Sequence, residues 1–315
     1  MAVNSTLKRT DSFFQSKKWE AFRTRYLSAR FASSLAWKIV RFVLLFGLCY
    51  IILYPFFIKI VNAFKGAMDF SDPTVRFIPK NFTVENILRV FGVMEYWDSL
   101  ANTLLVSIVC AVLQTGISAT VGYGFARFKF RLNKPLFGAV IFSLIVPVEV
   151  IIIPLFLRFR YFLGFINLIN TPLPIFILSV TGFGIKNALY IFLMRQFFRN
   201  VPKELEEAAY LDGCGVFKTF LRVMLPSAGS MLITVFLLSF AWQWTDTIYS
   251  SLFLRDFNVL ANMVSMAETL GAGEAMLASN YIGIAACLAI LPLTVIYIFT
   301  QRFFVQSVTS SGLVG

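Results

Sequence analysis

The sequence predicts an all-α integral membrane protein with six transmembrane helices and both termini in the cytoplasm. Three observations carry that prediction. Of the 315 residues, 58% are hydrophobic and only 14% charged, with a mean hydropathy of +0.76, which is far from the balance of a soluble domain. Apolar runs of the roughly 20 residues needed to cross a bilayer recur at 39–61, 100–122, 136–157, 173–194, 228–250 and 282–303. Lysine and arginine are then unevenly shared between the connecting segments: 18 fall on the side of the N-terminal tail and 7 on the opposite side. Because basic residues are retained in the cytoplasm, this asymmetry puts the tail, the C-terminus and the segment after the fourth run inside the cell.

Taken in order, residues 1–38 form a basic N-terminal segment in which eight cations alternate with Phe14, Trp19, Phe22, Tyr26 and Phe31. That pattern predicts an amphipathic helix lying on an anionic leaflet, with a basic unfolded tail as the alternative for the first dozen residues. Residues 39–98 make the first span and an outer loop, which carries Pro73, Pro79 and a short helix expected over Val84 to Phe91. A core from 99 to 305 follows, with a second outer loop at about 251–281, and residues 306–315 form a cytoplasmic tail. Histidine is absent, which excludes histidine-based acid–base, triad or metal chemistry. The cysteines Cys49, Cys110, Cys214 and Cys287 show no metal-ligand spacing and no disulfide framework. The formal charge of +12 is explained by topology, with no nucleic-acid partner required.

Between the fourth and fifth runs lies the most distinctive stretch, Pro202 to Pro226. Pro202 suits a first helical turn, and Glu204, Glu206 and Glu207 follow where the positive end of the helix dipole favours carboxylates. Gly213 offers a stop. A second helix is predicted from about Val216, with Phe217, Phe220, Leu221 and Met224 on one side, until Pro226 breaks it. Such an elbow is either a helical hairpin packed on its own protein or a docking knuckle. Cys214, Lys218 and Thr219 lack the spacing of a phosphate-binding loop, so the chain itself is expected to bind neither ATP nor Mg.

Glu207-Ala208-Ala209, then Asp212-Gly213, then an apolar helix closing at Leu225-Pro226, resembles the EAA loop of ABC importer permeases. The resemblance extends to Tyr123-Gly124-Phe125-Ala126-Arg127-Phe128, to Val146-Pro147 and Ile153-Pro154, to the run from Phe192 to Phe198, and to Pro292 with Gln301-Arg302-Phe303. It is similar to the carbohydrate (maltose-type) branch, on the side of the smaller six-span permease subunit, over nearly the whole chain from about residue 40. The resemblance implies a type I importer architecture in the bacterial plasma membrane. It also implies a heterodimer with a second permease, two ATP-binding subunits that use the ATP and Mg, and an extracytoplasmic solute-binding protein. Glu207, Ala208, Ala209, Asp212, Gly213, Phe217, Phe220 and Pro226 would couple to the ATPase. Two departures stand out: Thr245 replaces an asparagine in the family's Trp-Asn-Asp pattern, and the tail Ser311 to Gly315 lacks the usual lysine.

Ionisable groups near mid-membrane are costly and usually face a cavity or a partner. Glu149 and Lys186 both fall within apolar runs, at depths that would let them pair if the runs were continuous helices. The two either lock neighbouring helices together or, with Asn187, border a translocation path. Trp242, Gln243, Trp244, Asp246 and Tyr249 add aromatic faces and polar groups suited to sugar rings and hydroxyls, or else interface anchors. The function expected is therefore ATP-driven import of a carbohydrate, an oligosaccharide by resemblance, with no covalent chemistry in this chain. The alternatives are an ion-coupled secondary transporter and an importer permease for a non-sugar solute.

Overall fold

The computed structural model describes residues 29–271 and 273–312, with side chains left undescribed at 29–32, 67, 71 and 302–312. The basic segment up to residue 28 and the last three residues of the tail lie outside the described residues. The chain divides into two units, 1–61 and 62–315. Within the first, helix α1 (Ala29–Ala63) carries Pro55 without interruption and exposes almost every apolar side chain between Leu35 and Ile60. A helix apolar all round in this way is stable where lipid or another helix replaces water.

The second unit opens with a compact segment, the loop expected outside the membrane from the sequence. Helix α2 (Ala67–Ser71) is tied to the loop that leads into α3 (Glu85–Val93) by the Asp69 carboxylate, which accepts from the backbone N–H and side-chain amide of Asn81 at 2.9 and 2.8 Å. The Lys65 ammonium is buried and donates to the Val75 carbonyl at 3.0 Å. The short helix expected over Val84 to Phe91 is thus found one residue later at its start and two residues later at its end.

Helix α4 (Tyr96–Arg127) is the central pillar, packing against α7 (Leu173–Val180), α8 (Asn187–Asn200) and α11 (Gly229–Trp244). Its buried polar residues form a seam with those helices. Gln114 donates to Ser179 Oγ at 3.1 Å and accepts from Ser239 Oγ at 2.6 Å, while Asn187 donates to Ser118 Oγ at 3.2 Å. Between helices in a bilayer, hydrogen bonds of this kind contribute roughly 0.6 kcal/mol each and fix which faces meet. Close approach does the rest: a Cβ on Gly122 would sit 2.7 Å from Met194 Cβ.

Three of the expected spans are not continuous. The third is split into α5 (Asn133–Ser143) and α6 (Val148–Arg160), bent by 99°. Pro147 removes a backbone donor and pushes Val146 out of the helical region, which accounts for the break. The fourth is split between α7 and α8 by a turn in which Gly182 (φ +84°) and Lys186 (φ +57°) are left-handed. After α9 (Glu204–Leu211) and α10 (Val216–Ser227), the chain bends by 78° into α11, the fifth span, which stops at Trp244 before the short α12 (Ile248–Phe253). Helix α13 (Leu260–Met266), a 3-10 turn (Ala267–Gly271) and the long α14 (Ala275–Gly312) complete the unit. Among the described residues three helices are long and apolar enough to cross a membrane, or up to five if each bent pair is one span. The described residues contain helices and isolated bridges but no strand.

Candidate functional site

Two features stand at opposite ends of α8. The first is the elbow. Helix α9 closes in a Schellman arrangement, with Cys214 N–H donating to the Ala209 carbonyl at 2.9 Å and Gly213 N–H to the Tyr210 carbonyl at 3.0 Å. Gly213 has φ +76°, and nothing lies within 4 Å of where its Cβ would be. Glycine is thus required by the backbone conformation and not by crowding.

Beyond the corner, α10 does not end at Pro226. A π-helical turn over Phe220–Met224, in which Leu225 N–H reaches back to the Phe220 carbonyl, lets the helix pass the proline and run to Ser227. Such a widened turn makes room for a ring that would otherwise meet the carbonyl four residues back. It also separates residues expected on one side. Phe220 and Met224 are buried, whereas Phe217 is 73% exposed and Leu221 also faces outward. Of the residues expected to couple to an ATPase, Ala209 and Phe220 are buried, and Glu207, Ala208, Asp212, Gly213, Phe217 and Pro226 are exposed. Leu211, 89% exposed, joins Phe217 and Val216 in leaving an uncovered apolar tip.

What holds the elbow was not singled out from the sequence. Glu206, only 7% exposed, accepts a hydrogen bond from the Tyr123 hydroxyl at 2.8 Å and lies 3.1 Å from Arg127 Nε through its other oxygen. Arg127 also donates to the Val201 carbonyl at 2.6 Å. Tyr123 in turn is packed among Phe128, Phe198 and Phe220, with ring centroids 5.5, 5.5 and 4.9 Å away. A buried ion pair, each member of which is hydrogen-bonded to a further group, therefore rivets α9 to the end of α4. The available signal was the i, i+4 placement of Tyr123 and Arg127 on one helical face.

The second feature is a cavity of about 770 Å³ where three helix breaks converge: Ser143 to Pro147, Gly182 to Lys186, and Thr245 to Thr247. Glu149, Lys186, Asn187, Trp242, Asp246 and Tyr249 all line it. The Lys186 ammonium lies 5.1 Å from the centre of the Trp242 ring, a cation–π contact. Among the described residues the ion pairs are Lys80–Asp72, Arg89–Glu85 and Arg127–Glu206, so Glu149 and Lys186 do not pair. Their expected depth match assumed two unbroken helices, and both helices are broken beside these residues. Asp246 accepts from the backbone N–H groups of Tyr249 and Ser250 at 3.2 and 2.8 Å, which makes it the cap of α12 as well as a wall residue.

Gln243 and Trp244 do not line this cavity. Trp244 is 2% exposed, packs on Phe240 and donates its indole N–H to the Ala289 carbonyl at 3.0 Å. Gln243 is buried, and neither amide atom has a partner within the protein.

Helix breaks around a largely apolar cavity that holds Glu149, Lys186 and Asp246, joined by one helix to an exposed elbow, are the features of a membrane transport subunit. The chain belongs to the family described as the binding-protein-dependent transport system inner membrane component, whose model matches residues 97–310. It is a multi-pass protein of the plasma membrane. Among curated relatives it is similar to the maltodextrin transport system permease protein MalD of Streptococcus pneumoniae, 30% identical and covering 86% of this chain and 93% of the relative. It is also similar to the arabinooligosaccharides transport system permease protein AraQ of Halalkalibacterium halodurans, 27% identical over 85% of this chain and 93% of that one. The sn-glycerol-3-phosphate transport system permease protein UgpE of Rhizobium meliloti is 27% identical, over 83% and 92% of the two chains. The fold matches a chain from the crystal structure of a bacterial ABC transporter involved in the import of the acidic polysaccharide alginate. That match has a TM-score of 0.70 at 22% identity and covers 86% of this chain and 98% of the other. The type I importer permease fold follows.

Proposed function

We propose that the chain is the permease subunit of an ATP-driven carbohydrate importer, with an oligosaccharide as cargo, alternating access as its mechanism and ATP hydrolysis confined to separate partner subunits. In this reading α1, α4, the bent pair α5–α6, the α7–α8 pair, α11 and α14 make six passes, with both termini cytoplasmic. A second permease pairs with this one, two ATPases dock at the elbow, and a solute-binding protein delivers cargo from outside.

One observation carries the reading. Helix α8 starts at the cavity wall with Lys186 and Asn187 and ends at Asn200, next to the Val201 carbonyl that Arg127 holds. Its 14 residues span about 21 Å, so a push on the elbow reaches the cavity through a single rigid rod. Glu149, Lys186 and Trp242 would meet the cargo, the charged groups through hydroxyls and the indole through the apolar face of a pyranose. Asn187 contributes less, because its amide already serves Ser118.

The test is uptake of labelled maltodextrin and of labelled glycerol 3-phosphate by vesicles holding the assembled complex, with and without ATP. ATP-dependent maltodextrin uptake that falls in Lys186→Met and Glu149→Gln is expected. Uptake of glycerol 3-phosphate alone would redirect the cargo assignment, and wild-type uptake in both variants would remove these two residues from the path. Gly213→Asp should release the ATPase during purification, and its retention would sink the docking role of the elbow.

A further inference from the structure

A second cavity, of about 720 Å³, lies between the end of α4, the 128–132 loop, the start of α5 and the outer side of α9. Its charge is lopsided. Lys129, Arg131, Lys134 and Lys203 line it, against Glu207 alone once Glu206 is neutralised by Arg127. Among the described residues none of these four cations enters an ion pair, and all are exposed. Aromatic and aliphatic side chains alternate with them: Phe128, Phe130, Leu132 and Leu136 are each at least 44% exposed.

A water-facing loop has no use for four uncovered large apolar side chains. A nucleic-acid groove would not interleave them with cations immediately after a spanning helix. Cations at the depth of lipid phosphates, next to side chains that can enter the acyl region, match an anionic membrane surface. We propose that this cavity is a head-group site for an anionic phospholipid, and that the lipid phosphate, held by Lys129, Arg131, Lys134 and Lys203, braces α9 against α4. The wall formed by Glu206, Glu207 and Tyr210 belongs to the elbow, so occupancy would set how firmly the elbow is held while the ATPases pull on it. The inference rests on the reading that the elbow faces the cytoplasm.

The experiment uses the complete complex in nanodiscs of phosphatidylcholine with rising fractions of phosphatidylglycerol. Retained lipid is counted by native mass spectrometry, and ATP-driven uptake is measured in matched vesicles. In the wild type both should rise together. In Lys129→Gln/Arg131→Gln/Lys134→Gln the affinity for phosphatidylglycerol should fall by on the order of fivefold per cation removed, so that retained lipid stays low even at high phosphatidylglycerol fractions. Lys129→Arg/Lys134→Arg, which keeps the charge, should behave as wild type and guards against loss of folding. An unchanged phosphatidylglycerol dependence in the triple variant would overturn the proposal. So would full replacement of the lipid by millimolar inorganic phosphate in pure phosphatidylcholine. Loss of the ATPase from the triple variant at every lipid composition would also overturn it, by assigning the cations to an acidic protein face. Lipid counting on the purified chain keeps this separate from the importer reading: retention of phosphatidylglycerol by a chain that never co-purifies with an ATPase would refute the importer and leave the site standing.

Discussion

Replacing Arg127 with methionine should detach the elbow from the membrane core without disturbing the cavity. The wild-type pair sits at 3.1 Å with side chains only 7% and 10% exposed. At an effective dielectric of about 20 its attraction is on the order of 5 kcal/mol before desolvation is subtracted. What the mutation removes is larger than the net value of the pair, because Glu206 is left as a buried carboxylate with a single neutral donor, Tyr123. Orphaning one member of such a pair costs roughly 3–5 kcal/mol, equivalent to a shift of at least a hundredfold toward any conformation in which α9 swings out and hydrates Glu206. Arg127→Met should therefore lower thermal stability, raise hydrogen exchange over 201–212 and reduce ATP-driven uptake, with ATPase activity uncoupled from cargo. Arg127→Met/Glu206→Met removes both charges, and should regain most of the stability while leaving coupling impaired. If Arg127→Met alone kept wild-type exchange over 201–212, the rivet would not exist, and if the double variant were no more stable than the single one, the buried-charge argument would fail.

The corner itself gives a smaller effect. Because only the positive φ of Gly213 is at stake, Gly213→Ala should cost about 1 kcal/mol and Gly213→Asn less, read as melting temperature of the purified complex. Gly122→Val should be far more damaging, since its Cβ would meet both Met194 Cβ at 2.7 Å and the Arg195 backbone nitrogen at 2.9 Å; a backbone shift between α4 and α8 is then unavoidable, and expression of folded chain is the measurement. In the outer loop, the hydrogen bond and charge of Lys80, together with the Thr74 hydroxyl and N–H, hold the Asp72 carboxyl far below its ordinary value. A depressed carboxylate stabilises the loop above its unfolded pKa and loses that contribution as pH falls toward the folded one. Hydrogen-exchange protection over 72–83, corrected for the intrinsic pH dependence of amide exchange, should accordingly stay flat from pH 7 to about 5 and fall only in stronger acid, and Asp72→Asn should abolish that fall.

Much of this was legible from residue order, and the exceptions have physical causes. Gly213 and the acidic first turn of α9 follow from rules about backbone freedom and dipoles, and the existence of α4 from apolar length, all of which act locally; its ends lie four and five residues beyond the expected 100–122. Pro147 and Pro154 show where local rules end: the first precedes α6 at a break and the second sits inside that helix. The same holds for Trp242 and Trp244. Two residues apart, they face opposite sides of α11, but the helix is apolar nearly all round, so no periodicity told which one meets the cavity. Glu206 and Glu207 are adjacent and chemically alike, and only the position of Arg127, 79 positions from Glu206 in the chain, makes one an internal anchor and the other a surface charge.

The helix breaks are what a transport path needs and what a simple bundle cannot supply. Six unbroken helices would close all their backbone hydrogen bonds on themselves and present side chains alone to a solute. Each interruption here frees N–H and carbonyl groups at membrane depth, which is tolerable only where water or cargo can satisfy them. Three interruptions converge on one cavity, so the groups that lipid would penalise are gathered where a polyhydroxylated solute would reward them. Lys186 adds a constraint of its own. A left-handed, non-glycine residue stores on the order of 1–2 kcal/mol, and here that strain sits at the residue just before the rod joining cavity to elbow. Under the alternating access proposed above, relaxing this one residue would let α8 rotate about its cavity end.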